Sequence, residues 1–181
     1  MCGIVGYVGE QHPKEFLIDG LKKLEYRGYD SSGIAIKNSD NIQIIKSTGK
    51  ISDLEDKVNK ENLINSKLGI AHTRWATHGE ANETNAHPHK VNKVTIVHNG
   101  IIENATDLKN KLVNDGVVFR SETDTEVACA VINNYYNGNP VEAITKAIKS
   151  LKGSYAFGVL FEDQDKLYAV RKDSPLIVGI G

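Results

Sequence analysis

The chain opens Met1-Cys2-Gly3-Ile4-Val5-Gly6, and Cys2 is the residue whose type and position could do most. With Met1 removed, it carries a thiol and a free α-amine on one residue. An α-amine titrates at about 7.7–8.0, against about 10.4 for a lysine, so near neutral pH a useful fraction can accept a thiol proton. N-terminal nucleophiles activated in this way are a known form of covalent catalysis. On local grounds alone the plainer reading is a small apolar residue leading into a strand over Gly3-Val8, so the remaining residues decide.

Amide hydrolysis through a thiolate needs a base, donors aimed at the developing oxyanion, and groups that hold the substrate. The Asn99 side-chain nitrogen and the Gly100 backbone N–H are candidate oxyanion donors. Arg74 could clamp a carboxylate in bidentate fashion and Asp124 could accept an ammonium, which together describe a pocket for an α-amino acid. The competing chemistry is metal-dependent hydrolysis, because five of the six histidines, His72, His78, His87, His89 and His98, share one stretch. His87-Pro88-His89 would place two imidazoles on one side of an extended segment. No H-E-x-x-H helix or C-x-x-C pair adds further ligands, so no metal is assigned.

These groups need elements to position them. Gly3-Val8 patterns as a strand, and Pro13 can open a helix through Arg27 with Phe16, Leu17, Leu21 and Leu24 on its inner face. Tyr26 to Gly33 is a polar, glycine-rich break. Ile34-Lys37 and Ile42-Lys46 pattern as a hairpin, and Ser52 with Glu55 forms a capping box for a helix to about Asn59. Leu68-Ala71 patterns as a strand that delivers the cluster from His72 to Gly79. Lys93-His98 alternates as a strand ending at Asn99-Gly100, locally the strongest short hairpin signal. Helices are predicted over Ala105-Asn114, Asp124-Tyr136 and Pro140-Leu151, with Gly116, Gly138 and Gly153 as stops and a capping composition at Ser121-Asp124. Strands are predicted over Ser154-Phe161, Lys166-Arg171 and Leu176-Ile180, the last almost wholly apolar and expected to be buried.

Composition bounds the function. At 181 residues, 40% hydrophobic and 25% charged, the sequence describes one ordinary globular domain without repeats or linkers. A net charge of −1 gives no electrostatic reason to expect nucleic acid or an anionic membrane as partner. No apolar run reaches the length of a membrane span and no secretory signal opens the chain, so a cytoplasmic location is expected. Two cysteines fit a reducing compartment, with Cys129 expected as a buried helix residue.

Five blocks carry a resemblance: Cys2 to Gly6, Glu25 to Gly33, His72 to Gly79, His98 to Asn104 and Ser121 to Glu126. In order and in register they resemble the glutaminase domains of the glucosamine-6-phosphate synthase family, which are class II glutamine amidotransferases. Tyr26-Arg27-Gly28-Tyr29-Asp30 and the His72 to Gly79 block favour the hexosephosphate branch over the phosphoribosyl-pyrophosphate branch. The resemblance implies an α+β fold of the N-terminal-nucleophile hydrolase type, a four-layer αββα sandwich of two antiparallel sheets between helical layers. It implies L-glutamine as substrate, attack by Cys2, release of ammonia, and no cofactor. By the same resemblance Arg74 holds the glutamine α-carboxylate, Asp124 its α-amine, and Asn99 and Gly100 the oxyanion. Arg27 and Gly28 line the nucleophile, and Trp75, Thr77 and His78 form the pocket rim, with Trp75 gating the ammonia path. Members of the family continue past this point into further strands, a linker and two sugar-isomerase domains that bind fructose 6-phosphate, and the full-length proteins are expected as homo-oligomers. Residues 1–181 are therefore expected to be a single glutaminase domain, incomplete at its C-terminus and without the isomerase domains. A non-catalytic regulatory module of the same fold is the other expectation to weigh.

Overall fold

The computed structural model describes residues 2–75 and 79–181. In chain order it contains β1 (Gly3–Val8), α1 (Lys14–Leu24), a 3-10 turn over Glu25–Arg27, β2 (Ser31–Lys37), β3 (Ile42–Thr48), α2 (Ile51–Lys60) and β4 (Leu68–Arg74). There follow β5 (His89–Val91), β6 (Val94–Ile102), α3 (Ala105–Asn114), α4 (Asp124–Tyr135), α5 (Pro140–Ser150), β7 (Gly153–Phe161) and β8 (Leu167–Lys172). The strands form two antiparallel sheets, ordered β1-β4-β2-β3 and β5-β6-β7-β8.

The period-two alternation of the strands assigns each face to a layer. In β2, Ile34 and Ile36 point outward to Leu17, Ile18 and Leu21 of α1 and to Leu54 and Val58 of α2. Ala35, between them, points the other way and joins Ile70, Val97 and Leu160 in the seam between the sheets. On the second sheet Ile96, Phe157 and Val159 face the buried side of α4, while Val97 and Leu160 face the seam. The result is the αββα stack of the α+β class. All seven residues of β2 and of β4 are buried, as central strands covered on both faces require.

Register brings chain ends together. Gly3 of β1 pairs with Thr73 of β4, and Ser31 of β2 pairs with Arg74. The start of β1, the end of β4 and the start of β2 therefore meet at one end of the first sheet. No helix among the described residues is long and apolar enough to cross a membrane.

Four local expectations are corrected. Phe16 is half-exposed and packs at a tilt against Tyr7 with ring centroids 4.9 Å apart, while Ile18 takes the inward position beside Leu17 and Leu21. The helix α2 starts at Ile51, so Ser52 lies within its first turn. Its opening amides are satisfied instead by Asp53, which accepts from Lys50 N at 2.8 Å, and by Glu25 of the 3-10 turn, which accepts from Ile51 N at 2.9 Å. Asn99-Gly100 does not turn the chain: both residues lie inside β6, opposite Ala156 and Tyr155 of β7. Gly100 absorbs the local irregularity at φ 131° and the strand continues to Ile102. Leu176–Ile180 forms no strand; Ile177, Val178 and Ile180 are exposed, because an apolar run becomes a strand only where a partner edge or a covering face meets it.

Candidate active site

Cys2 sits immediately before β1, where the register with β4 places it against the end of that strand. Its sulfur meets the backbone of Trp75: the Trp75 amide donates to Sγ at 3.4 Å, and Sγ lies 3.8 Å from the Trp75 carbonyl. Burial pushes the thiol pKa up, and the Trp75 N–H, which favours the thiolate, opposes this. The Cys2 carbonyl accepts from two side chains, Arg27 Nε at 3.3 Å and Asn99 Nδ2 at 3.2 Å. Arg27 closes the 3-10 turn and Asn99 lies on β6 of the other sheet, so the residue is held from both sheets.

Gly28 follows Arg27 and lies so close to β4 that a Cβ there would stand 2.9 Å from Arg74 C and Trp75 N. Its carbonyl accepts the buried Thr73 hydroxyl. Only a residue without a side chain lets this segment pass so close to the end of β4 beside Cys2. Gly100 is under a stronger constraint, since a Cβ would meet Ser154 O at 2.1 Å and φ is in the left-handed region.

Arg74, almost fully buried, uses its planar fork on the loop that follows β4, Nη1 donating to Glu80 O at 3.1 Å and Nη2 to Gly79 O at 3.2 Å. Trp75 is half-exposed and packs edge-on against Tyr29 at 6.1 Å between centroids. Thr77 and His78, expected at the pocket rim, lie outside the described residues. Asp124 begins α4, whose N-cap Thr123 accepts from Glu126 N at 3.2 Å. Its Oδ2 accepts from Ile102 N at 2.8 Å, which ties the carboxylate to β6 three residues beyond Asn99. It also lines a cavity of about 290 Å³ with Ile101, Thr106, Lys109 and Glu122.

Three residues support the site in ways the sequence does not indicate: Asn85 lies outside every motif, Glu126 closes the Ser121–Glu126 block without an assigned role, and His72 is given no role there beyond that of a candidate metal ligand. Asn85 is buried and donates to Glu80 O and to Glu122 Oε2, both at 3.1 Å, while accepting from Glu122 N at 3.0 Å. It thereby fastens the loop gripped by Arg74 to the turn that leads into Asp124. Glu126 accepts from the amides of Arg120 and Ser121 and from the Ser121 hydroxyl at 2.6 Å, fixing the same turn from within α4. His72 lies within hydrogen-bond distance of both His98 O and Asn99 Oδ1. The only sequence signal for Glu126 is a polar residue leading into the apolar run Val127–Ile132, and Asn85, set in a polar stretch, carries none.

The histidines do cluster, with His72 stacked on His87 at 4.0 Å and His87 edge-on to His89 at 4.8 Å. Their nitrogens engage the α4 entrance: His87 Nε2 meets Thr125 Oγ1 at 2.8 Å, His98 Nδ1 the same hydroxyl at 2.9 Å, and His89 Nε2 meets Thr123 Oγ1 at 3.1 Å. Among the described residues no three His, Cys, Asp or Glu side chains are arranged to hold a metal ion.

Comparison with known proteins places these features in a family. Residues 72–179 match the family described as a glutamine amidotransferase domain. The glutamine–fructose-6-phosphate aminotransferase (isomerizing) of Clostridium perfringens is 53% identical across the whole of this chain, and that of Pyrococcus horikoshii is 52% identical. The chain spans about 30% of the length of these relatives. Among solved structures, the glutamine phosphoribosylpyrophosphate amidotransferase of B. subtilis superposes with a TM-score of 0.77 at 28% identity, over 90% of this chain and 35% of that one. A glutamine aminotransferase class-II domain protein from Silicibacter pomeroyi, 17% identical with a TM-score of 0.61, shares the fold. With its two antiparallel sheets between helices and its cysteine held between the end of β4 and Asn99 of β6, the chain belongs to the glutamine amidotransferase domain family.

Proposed function

We propose that this chain hydrolyses L-glutamine to glutamate and ammonia through Cys2. The observation that carries the proposal is the placement of Cys2 between Trp75 N, which donates to its sulfur, and Asn99 Nδ2, which stands at its carbonyl, in a chain of this family. With Met1 removed, the Cys2 α-amine takes the thiol proton and the thiolate attacks the side-chain carbonyl carbon of glutamine. Because burial raises the thiol pKa, the proton must be taken by a group this close. The tetrahedral oxyanion is held by Asn99 Nδ2, which has a second N–H beyond the one on the Cys2 carbonyl, and by Gly100 N–H. The protonated amine then gives its proton to the departing nitrogen, and ammonia leaves a thioester. Water attacks that thioester, releasing glutamate and restoring the thiol. Arg74 takes the substrate α-carboxylate and Asp124 its α-ammonium, while Arg27 and Gly28 wall the nucleophile and Trp75, Thr77 and His78 form the rim.

The names of the Clostridium perfringens and Pyrococcus horikoshii relatives supply the acceptor in this proposal. Within a longer protein the ammonia aminates fructose 6-phosphate to glucosamine 6-phosphate, at isomerase domains beyond these residues. Homo-oligomeric assembly belongs to the same proposal, and light scattering checks it. The decisive experiment is glutamate release from glutamine by the wild-type chain and by Cys2→Ala, with an intact mass to establish loss of Met1. Abolished turnover in the variant is expected; undiminished turnover removes Cys2 as nucleophile.

A further inference from the structure

Asn99 can serve an oxyanion only if its amide is turned the right way, since Nδ2 donates and Oδ1 would repel the developing charge. The Cys2 carbonyl accepts from Asn99 Nδ2 at 3.2 Å, which asks for the amide nitrogen on that side, and a second group behind the asparagine asks for the same orientation. His72 stands there. Its Nε2 lies 2.9 Å from the His98 carbonyl oxygen and 3.0 Å from Asn99 Oδ1.

The logic of donors fixes the rest. A backbone carbonyl can only accept, so Nε2 of His72 carries the proton. A protonated nitrogen can face only an acceptor, so the Asn99 atom beside it is the oxygen. The amide nitrogen is thereby left to face Cys2, where Asn99 Nδ2 is found. The other ring nitrogen, Nδ1 of His72, is buried without a hydrogen-bond partner among the described residues, as suits the unprotonated nitrogen of a neutral Nε2–H imidazole. Stacking on His87 at 4.0 Å and full burial on β4 fix the ring plane. The donor therefore comes from one sheet and the amide it turns from the other.

We propose that His72 is a positioning residue, whose Nε2–H, anchored on the His98 carbonyl, turns the Asn99 amide so that its NH2 faces the Cys2 reaction centre. This deepens the amidohydrolase proposal and rests on it for its kinetic consequence, though the hydrogen bond itself does not. The first measurement is the 15N shift pattern of the His72 ring in the wild-type protein near neutral pH. An Nε2–H tautomer is expected; an Nδ1–H tautomer or an imidazolium overturns the proposal.

The second is steady-state glutaminase kinetics of His72→Met and His72→Gln. The first variant lacks a donor, and the second can present an amide N–H near the former Nε2. His72→Met is expected to lower kcat roughly 10–100-fold, less than the full loss of an oxyanion donor, with KM for glutamine within about twofold, and His72→Gln to recover most of the loss. In an Asn99→Ala background the His72→Met change should cost nothing further, because there is no amide left to orient. Equal losses in both backgrounds, or wild-type kcat in His72→Met, overturn the proposal. If His72→Met fails to fold, the ring tautomer and His72→Gln still decide it. A wild-type chain that makes no glutamate from glutamine counts against the amidohydrolase proposal, and the tautomer then decides the positioning role alone.

Discussion

Asp124 Oδ2 accepts the backbone amide of Ile102 at 2.8 Å, so a carboxylate at the start of α4 is locked to the strand that carries Asn99 and Gly100. Replacing Asp124 with Asn keeps an oxygen for that amide and removes the negative charge. The expected result is a KM for glutamine raised roughly 10–100-fold, the value of one charge-assisted bond, with little change in melting temperature. Steady-state kinetics check this, and an unaltered KM would remove the ammonium-binding role.

Arg74 holds Gly79 O and Glu80 O through two arms of one planar group. A lysine supplies a point charge and cannot reproduce the fork. Arg74→Lys should therefore raise KM by at least about tenfold and loosen the 79–80 loop. Faster hydrogen exchange or proteolysis near that loop should accompany the kinetic effect. A variant with wild-type KM argues that the substrate carboxylate is held elsewhere.

Gly100→Ala places a methyl group 2.1 Å from Ser154 O at φ 131°, so β6 and β7 must part. A loss of about 2–4 kcal/mol is expected, seen as a fall of roughly 5–15 °C in melting temperature. Thermal unfolding of the two proteins is sufficient. An unchanged melting temperature would mean that this strand pair accommodates a side chain.

Acid should weaken the fold before the carboxylates titrate. Burial lowers His72 to about 3 and His98 to about 4, and holds His87 and His89 well below the ordinary range. Unfolded histidine titrates near 6.5, so below about that pH the unfolded chain binds protons that the native chain refuses. Stability is thus fully present above pH 6.5 and is lost as the pH falls toward the folded values. Each histidine contributes at most about 1.4 kcal/mol per pH unit in that window. Urea midpoints should fall between pH 7 and pH 5, and His89→Gln should flatten the dependence. A flat midpoint across that range contradicts neutral burial of these imidazoles.

How far such features are legible in sequence depends on how far away their causes lie. The helix α3 is found at its predicted bounds because its period and its glycine stop are local. Thr123 likewise caps α4 where the Ser121–Asp124 composition suggests. Phe16 is misplaced because adjacent apolar residues leave two possible inner faces, and only the sheet beneath chooses Ile18. Asn99-Gly100 gives a turn signal because Gly at positive φ serves a hairpin and a strand irregularity alike. What separates the two is β7, more than fifty residues later. The five blocks are recognisable through family resemblance, whereas the contacts of His72 and Asn85 join segments that no spacing rule connects.

Gly3 at the start of β1 pairs with Thr73 of β4. The next position along that ladder sets Cys2 against Arg74, and residues opposed on antiparallel strands share a face. Register therefore decides which face Cys2 presents beside Arg74, and a one-residue slip of β1 against β4 would turn the Cys2 side chain to the opposite face while Arg74 stayed in place. In the proposed reaction the ladder works as a gauge of substrate length. Asparagine, one methylene shorter than glutamine, is then expected to be hydrolysed far more slowly, which an assay of both amides checks.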